Sequence, residues 1–284
     1  MSAETLAAFS ADVEDYFQVE ALRPFCPRSD WETFEDRVVP NTERVLSVLE
    51  RTGSRGTFFV LGWIAERHPE LVRKIADAGH EIASHGFGHE LVYNLTPEEF
   101  REDIRRTREL LRSISGHDVI GYRAPSYTIM KRTQWALPIL AEEGYRYDSS
   151  VFPIARRRYG DPDAPRWPHR VDVGGGMSLA EFPLPTNRIV GKLNAPTTGG
   201  AYLRLLPYRL QKRSVARLVR NGRPFVVNVH PWEFDPEQPR FPVGARTRWT
   251  HYHNLDQTER RLEGLLGMAA YRPQAEVLAA MGLL

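Results

Sequence analysis

From its start to about residue 150 the chain alternates short apolar runs with amphipathic stretches, and that rhythm is the strongest constraint on its fold. A short apolar run followed by a segment of helical period, repeated several times, predicts βα units and a parallel sheet, either closed as a barrel or doubly wound. Strands are expected over 6–13, 57–60, 81–84, 118–122 and 145–147. Between them, Asn41 caps a helix that carries Val45, Val48 and Leu49 on one face and stops at Gly53. Pro69 opens a second, with Leu71, Val72, Ile75 and Ala76 inward and Gly79 at its end. The capping box Thr96-Pro97-Glu98-Glu99 starts a long helix with Phe100, Ile104, Leu111 and Ile114 in helical register, and a further helix covers 133–143.

Past residue 150 the character changes. Segment 150–205 is rich in Pro, Gly and Arg with little periodicity, which predicts a long functional excursion with one hairpin around 171–182. A helix over 207–220 ends at Gly222, and the apolar run 225–229 returns as a strand of the sheet. From Trp232 a proline-rich stretch leads to a helix capped at Asp256-Gln257-Thr258-Glu259 and carrying Leu262, Leu265 and Leu266.

Composition excludes several classes. Of 284 residues 42% are apolar and 26% charged, too apolar for a disordered chain and too mixed for a polyelectrolyte. Lys+Arg number 38 against 36 Asp+Glu, a balance that gives no electrostatic reason to expect nucleic acid or an anionic membrane as the main partner. Only four of the basic residues are lysines, and the arginines are densest at Arg156, Arg157 and Arg158, which reads as codon composition rather than an anion site. Cys26 stands alone and excludes a disulfide-stapled secreted fold. No run approaches the roughly 20 apolar residues of a membrane span. The opening residues 1–9 lack a basic region and an apolar run of signal length, so a cytoplasmic location is expected.

In a β/α array the chemistry collects at the carboxyl ends of strands. Four strands here end in capable residues: Asp12-Val13-Glu14-Asp15, Ser84-His85-Gly86-Phe87-Gly88-His89, Arg123-Ala124-Pro125-Ser126-Tyr127 and Asn228-Val229-His230-Pro231. His85 and His89 with one carboxylate would make a three-ligand site with a position left open, as in catalytic zinc centres or the iron facial triad. Asp12 and Glu14 are two apart on a strand and point the same way, so one can bind a metal while the other acts as base; Asp15 competes for the ligand role. His251 and His253 have no carboxylate or cysteine partner and read as structural, and Cys26 as a spectator. Neither Gly174-Gly175-Gly176 nor Gly199-Gly200 has the flanks of a phosphate loop.

The ordered set Asp12, Glu14, His85 with His89, Arg123 with Pro125, Asp148 and His230 resembles the NodB-homology polysaccharide deacetylases, carbohydrate esterase family 4, over about 225 residues. More narrowly, the run from Asp12 to Val19 and the His230-Pro231-Trp232-Glu233 segment resemble deacetylases encoded with bacterial exopolysaccharide and exosortase systems. The resemblance implies a distorted or incomplete (β/α) barrel over residues 1–232 with a C-terminal helical extension, 233–284, packed on it. It implies a divalent ion, zinc by expectation, on Glu14 (or Asp15), His85 and His89, with Asp12 as base beside Arg123. His230 would be the acid, steadied by Asp148, and a backbone N–H near Ser126 would face the oxyanion. Pro125, Ser126, Tyr127 and Trp232 would line the sugar site. The expected reaction is removal of N-acetyl groups from a bacterial amino-sugar polymer or its precursor. An allantoinase-like amide hydrolase and a noncatalytic sugar-binding relative are the alternatives; iron oxygenase chemistry fits the triad but leaves Asp12 and His230 without work.

Overall fold

The computed structural model describes residues 6–156, 158–190 and 193–284. Residues 1–5 of the segment read for a signal, and Arg157 of the arginine run, lie outside them. The strands are β1 (Ala7–Val13), β2 (Thr57–Val60), β3 (Glu81–Ser84), β4 (Gly121–Tyr122), β5 (Tyr147–Asp148), β6 (His169–Gly174), β7 (Met177–Glu181), β8 (Thr186–Val190), β9 (Leu193–Pro196), β10 (Phe225–Val229) and β11 (Tyr271–Arg272). The helices are α1 (Val38–Arg51), α2 (Gly62–Arg67), α3 (Pro69–Asp77), α4 (Pro97–Ser115), α5 (Ala136–Glu142), α6 (Ala201–Leu205), α7 (Tyr208–Arg220), α8 (Ala245–Tyr252), α9 (Thr258–Leu266) and α10 (Gln274–Ala280).

One sheet runs β10–β1–β2–β3–β4–β5–β7–β6, parallel throughout except for the β6–β7 hairpin. Its end strands β10 and β6 do not pair, so it is an open, incomplete barrel. Every residue of β1 and β10 is buried, the signature of parallel strands covered on both faces. Helices α1, α3, α4 and α5 turn Val45, Val48, Leu71, Ile75, Phe100, Ile104, Leu111 and Leu140 into the main core.

Several local expectations hold residue for residue. Strands β2 and β3, helix α3 and the Thr96 capping box occur as read: the Glu99 N–H donates to Thr96 Oγ1 at 3.2 Å, the Thr96 N–H to Glu99 Oε2 at 2.8 Å, and Gly116 closes α4 at φ 72°. Others shift. Helix α1 begins at Val38 because Asp36 accepts the Val38 N–H and Asp15 the Arg37 N–H, so Asn41 lies inside the helix and Pro40 in its first turn. The strands expected over 118–122 and 145–147 shorten to β4 and β5; Arg108 Nε takes the Val119 carbonyl before the sheet can. The cap of α9 is Gln257, without a side-chain bond, preceded by a 3-10 turn through Asp256. The excursion is more ordered than its composition implies. Its first hairpin, β6–β7, joins the sheet through β5, and a second, β8–β9, stands off it.

The strand at 271–272 and the helix after it were not legible in the sequence. β11 pairs with Ala7 and Ala8 of β1, on the edge that β2 takes over at Ser10. The Gln274 N–H then donates to Thr57 Oγ1 (2.8 Å) and the Ala275 N–H to Glu81 Oε2 (3.2 Å), so the tail braces the first three strands from their amino ends. Tyr271 is buried, packs edge-on against Phe225 and donates its hydroxyl to the Leu265 carbonyl. Replacing it with alanine should cost about 3–5 kcal/mol in urea denaturation and speed amide exchange at Ala7 and Ala8, whereas Tyr271→Phe should cost only about 1 kcal/mol. Unchanged exchange in β1 would show that the tail does not brace that strand.

Candidate active site

The carboxyl ends of β1, β3, β4 and β10 converge. Strand alternation puts Ser10 and Asp12 on one side of β1 and Asn228 and His230 on one side of β10, and the parallel register sets Ser10 opposite Asn228. Into that space β4 sends Arg123, fully buried. Its Nη1 donates to Asp12 Oδ1 (2.6 Å), Ser10 Oγ (3.0 Å) and Asn228 Oδ1 (2.6 Å), its Nη2 to Ser149 Oγ (2.7 Å) and its Nε to the Ser149 carbonyl (3.0 Å). The other oxygen of Asp12 accepts from Asn228 Nδ2 (3.2 Å) and the Tyr127 hydroxyl (3.3 Å), and faces His230 Nε2 at 3.5 Å. Burial alone would raise the Asp12 carboxyl, but the Arg123 guanidinium and the His230 bond outweigh it and hold the group ionised well below the usual range.

Beside it lies a second constellation. Glu14, His85 and His89 are buried, and one ligand atom from each falls within 4.8 Å of the others. His85 leaves the end of β3 and directs Nδ1 at the Arg123 carbonyl, 2.8 Å away; a carbonyl only accepts, so the proton sits on Nδ1 and Nε2 keeps its lone pair. Burial lowers His85 to about 4, keeping it neutral. His89 reaches the cluster from a left-handed backbone, φ 52°, that few side chains tolerate without a structural demand. Its Nε2 approaches Glu14 Oε2 to 2.8 Å, yet that oxygen is buried and makes no hydrogen bond of acceptable geometry. Lone pairs aimed at a common point rather than at each other suit a shared cation. A carboxylate and two imidazoles are a fitting donor set for a divalent ion with an open position. Burial would raise Glu14, but the adjacent His89 side chain outweighs it and lowers the carboxyl to about 2, so it is ionised near neutrality.

The competing ligand is placed elsewhere. Asp15 accepts the backbone N–H groups of Tyr16 (2.7 Å) and Arg37 (2.6 Å), and burial pushes its carboxyl up to about 7. It ties the β1 end to the start of α1 and is no member of the cluster.

Two other expectations need correction. Asp148 does not touch His230: its oxygens accept from Ser150 Oγ (2.5 Å) and the Ser150 N–H (3.2 Å), and it lies opposite Glu181 in the β5–β7 register. Ser150 Oγ in turn receives the Ala124 N–H at 2.7 Å, so Asp148 supports the turn that carries Arg123. The carboxylate facing His230 is Glu233, whose Oε2 is 3.4 Å from Nδ1; buried Arg204 grips its other oxygen through Nε at 3.1 Å. Burial would lower His230, but the Asp12 and Glu233 carboxylates outweigh it and raise its pKa well above the ordinary value. Trp232 is no open platform. It is 5% exposed, donates Nε1 to Glu14 Oε1 at 3.1 Å, and is stacked between His230 and His251, the latter 4.3 Å away. His251 is structural as read, its Nε2 on Gln238 Oε1 at 2.8 Å.

Pro125, Ser126 and Tyr127 form a turn beside Asp12, with Ser126 (φ 52°) and Tyr127 (φ 55°) both left-handed. Behind the histidine loop, Asp103 of α4 accepts the Phe87 N–H at 3.0 Å, and its carboxyl is raised to about 6 by burial. Asn228, Ser149, Glu233, Arg204 and Asp103 carry no role in the sequence reading. Asn228 and Glu233 had usable signals, their spacings of two and three from His230.

A family model described as Polysaccharide deacetylase matches residues 24–147, and a domain of unknown function, DUF3473, matches 149–279. Residues 24–147 are thus similar to a polysaccharide deacetylase domain. The deacetylase match takes in His85, His89 and Arg123, while His230 and Glu233 fall within the second domain. A peptidoglycan deacetylase-like protein of Gibberella zeae is 34% identical over 110 residues, 38% of this chain and 32% of that protein. The peptidoglycan-N-acetylglucosamine deacetylase of Bacillus cereus is 32% identical over 96 residues, 34% and 35% of the two chains. The matched stretches thus span about a third of those relatives' length. The fold extends further: a Mycobacterium smegmatis crystal structure superposes with a TM-score of 0.67 at 22% identity, covering 99% of this chain and 93% of that one.

The Asp148–Glu181 pair gives a pH test. Burial raises both carboxyls, and the Asp148 charge drives Glu181 higher still. The folded chain therefore holds protons that the unfolded chain releases, and stability falls as pH climbs from the ordinary carboxyl range through the raised values. Glu181→Gln should raise the urea midpoint relative to wild type at about pH 8, with the advantage shrinking toward about pH 4. An advantage that does not change with pH would contradict the shared burial of these two acids.

Proposed function

We propose that this chain is a metal-dependent hydrolase that removes N-acetyl groups from the amino sugars of a bacterial polysaccharide or its precursor. The observation that carries the reading is the ionised, Arg123-held Asp12 beside the Glu14–His85–His89 cluster, with His230 Nε2 facing both carboxylates at 3.5 and 3.8 Å. A general base, a candidate three-ligand site and a general acid within one small volume are what amide hydrolysis needs. The substrates that give the relatives their names, peptidoglycan and chitooligosaccharide, support an acetylated amino sugar. The likeness of Asp12–Val19 and His230–Glu233 to deacetylases encoded with bacterial exopolysaccharide systems supports an exopolysaccharide or its precursor as the polymer.

Glu14, His85 and His89 would hold the ion, zinc by expectation, and when bound it supplies Lewis acidity to the acetyl carbonyl and the attacking water. Asp12 Oδ2 takes the water's proton; Arg123 on Oδ1 and Asn228 on Oδ2 fix the carboxylate and leave it no rotamer to search. The water oxygen bonds to the carbonyl carbon, and the left-handed turn would present the Ser126 backbone N–H to the developing oxyanion, the Tyr127 N–H being held by the Ala124 carbonyl at 3.0 Å. His230 passes its proton to the sugar nitrogen as the C–N bond breaks, releasing acetate and a free amine. Glu233 on the far ring nitrogen steadies the cationic imidazole in the place expected of Asp148. Pro125 and Tyr127 face the sugar, and Tyr127 also limits how far Asp12 can turn.

Asp12→Ala should lower acetate release from an N-acetylated chitooligosaccharide by about 10²–10⁴-fold while leaving zinc content, measured by elemental analysis, near that of the wild type. Glu14→Ala and His89→Ala should lose both. Unchanged acetate release by Asp12→Ala, or turnover of a cyclic ureide in place of the oligosaccharide, would overturn the assignment.

A further inference from the structure

The near-zero net charge hides a strongly polarised chain. From Phe182 to Trp232 there is no Asp or Glu, while nine Lys and Arg residues fall in that stretch. Helix α7 lies within it. Arg209, Lys212, Arg213, Arg217 and Arg220 are all exposed and recur at intervals of three and four, which gathers them on one outer face. The opposite face, through Gln211, Val215 and Leu218, is buried, and Gln211 Nε2 pins the helix by donating to the carbonyls of Tyr202, Leu203 and Leu206.

Those five cations have no carboxylate partner among the described residues. The contrast with α4 is sharp: Arg101, Arg105, Arg106 and Arg108 each reach an acidic side chain. Unpaired like charges repel one another, and a chain that ion-pairs its arginines elsewhere but leaves this face uncompensated has a face suited to an anionic surface.

The hairpin β8–β9 adds the second half. Ile189, Val190 and Leu193 at its tip are 62%, 71% and 56% exposed, among the most exposed large apolar side chains of the described residues. Asn187 Nδ2 fastens the hairpin to α7 through Ser214 Oγ at 2.9 Å. Leu210, one turn before Ser214 on that side of α7, is itself 53% exposed and adds apolar surface next to the cationic face. An apolar wedge beside a cluster of cations matches the boundary between acyl chains and anionic headgroups. A nucleic acid or acidic polymer would use the cations but leave the wedge in water, and a second copy would bring like charge against like charge.

We propose that the β8–β9 tip and the outer face of α7 dock this protein peripherally on an anionic lipid bilayer. No described helix is long and apolar enough to cross a membrane, so the attachment lies on the surface. Strand β9 runs on into Thr197–Gly200, where the Gly200 N–H bonds to the Asn228 carbonyl at 2.8 Å and a side chain at Gly200 would come within 3.1 Å of the His230 ring. The docking surface and the candidate active site are therefore carried by adjoining parts of the chain, which suits an acetylated saccharide presented at a membrane.

The full chain should co-sediment with phosphatidylcholine vesicles containing phosphatidylglycerol and not with phosphatidylcholine alone, and added salt should release it. Each cation removed should weaken binding about five-fold, so R213E/R217E should lose more than about ten-fold. I189S/V190S/L193S should lose a comparable factor without altering the salt dependence. Circular dichroism melting confirms that both variants fold, and acetate release from a soluble oligosaccharide should be unchanged in both, separating docking from catalysis. Failure of the wild type to sediment with the anionic vesicles would overturn the proposal. So would equal sedimentation of either variant, or binding to DNA or heparin that survives the hairpin substitutions while vesicle binding is absent.

Discussion

The guanidinium of Arg123 is the pivot of this molecule. A fully buried cation is tolerated only when its donors are met and an anion stands close, since desolvation of each ion otherwise costs several kcal/mol. Here the five contacts of Arg123 come from three strands, Ser10 and Asp12 of β1, Asn228 of β10 and Ser149 just beyond β5, while Arg123 itself follows a fourth, β4. The face of Phe59 on β2 lies 4.0 Å from the guanidinium carbon and completes the enclosure. Satisfying one charge therefore draws five strands of an otherwise open sheet to a common point. The same act holds Asp12 ionised, so the fold's most demanding electrostatic requirement and the base of the proposed reaction are one interaction.

Around that pivot the buried acids divide by partner rather than by depth. Asp12, Glu14 and Glu233 each face a guanidinium or an imidazole and are held ionised. Asp15, Asp103, Asp148 and Glu181 are as deeply buried but meet mainly backbone N–H groups, a hydroxyl or each other, and are pushed up. Hydrogen-bond donors without formal charge do not repay the transfer of a carboxylate out of water. The first set surrounds the candidate site, and the second braces the turns that deliver its side chains: Asp103 the histidine loop, Asp148 the Arg123 turn, Asp15 the junction of β1 with α1.

Legibility in the sequence followed the range of the interaction. Thr57–Val60, Glu81–Ser84 and the Thr96 capping box are decided within a few residues, and they were readable almost to the residue. Asp12, His85, His89, Arg123 and His230 were readable because strand ends are where a β/α array shows its chemistry. The Asp148 expectation failed because a partner at a distance of 82 residues cannot be inferred from order along the chain, whereas Glu233 sits one turn from His230 and shares its capping box. Trp232 failed differently: an indole next to a catalytic histidine can face the cleft or seal it, and the neighbour that decides, His251, comes from a helix nineteen residues on. β11 is two residues long and owes its strand conformation to the free edge of β1.

Net charge is the property that says least about local surfaces. A total of +2 is a sum over the chain and says nothing about where the charges lie. Elsewhere acidic residues pair with arginines and cancel locally, as in Arg51 with Glu259 and Glu263 or Arg105 with Glu143. Such exposed pairs each contribute little to stability, but they neutralise their own surroundings at short range. On α7 nothing cancels, and within a Debye length of about 8 Å an approaching surface meets that helix rather than the mean of the chain. A partner that touches one face is selected by the local field, so the even balance that argues against an anionic surface for the whole chain carries no weight at α7.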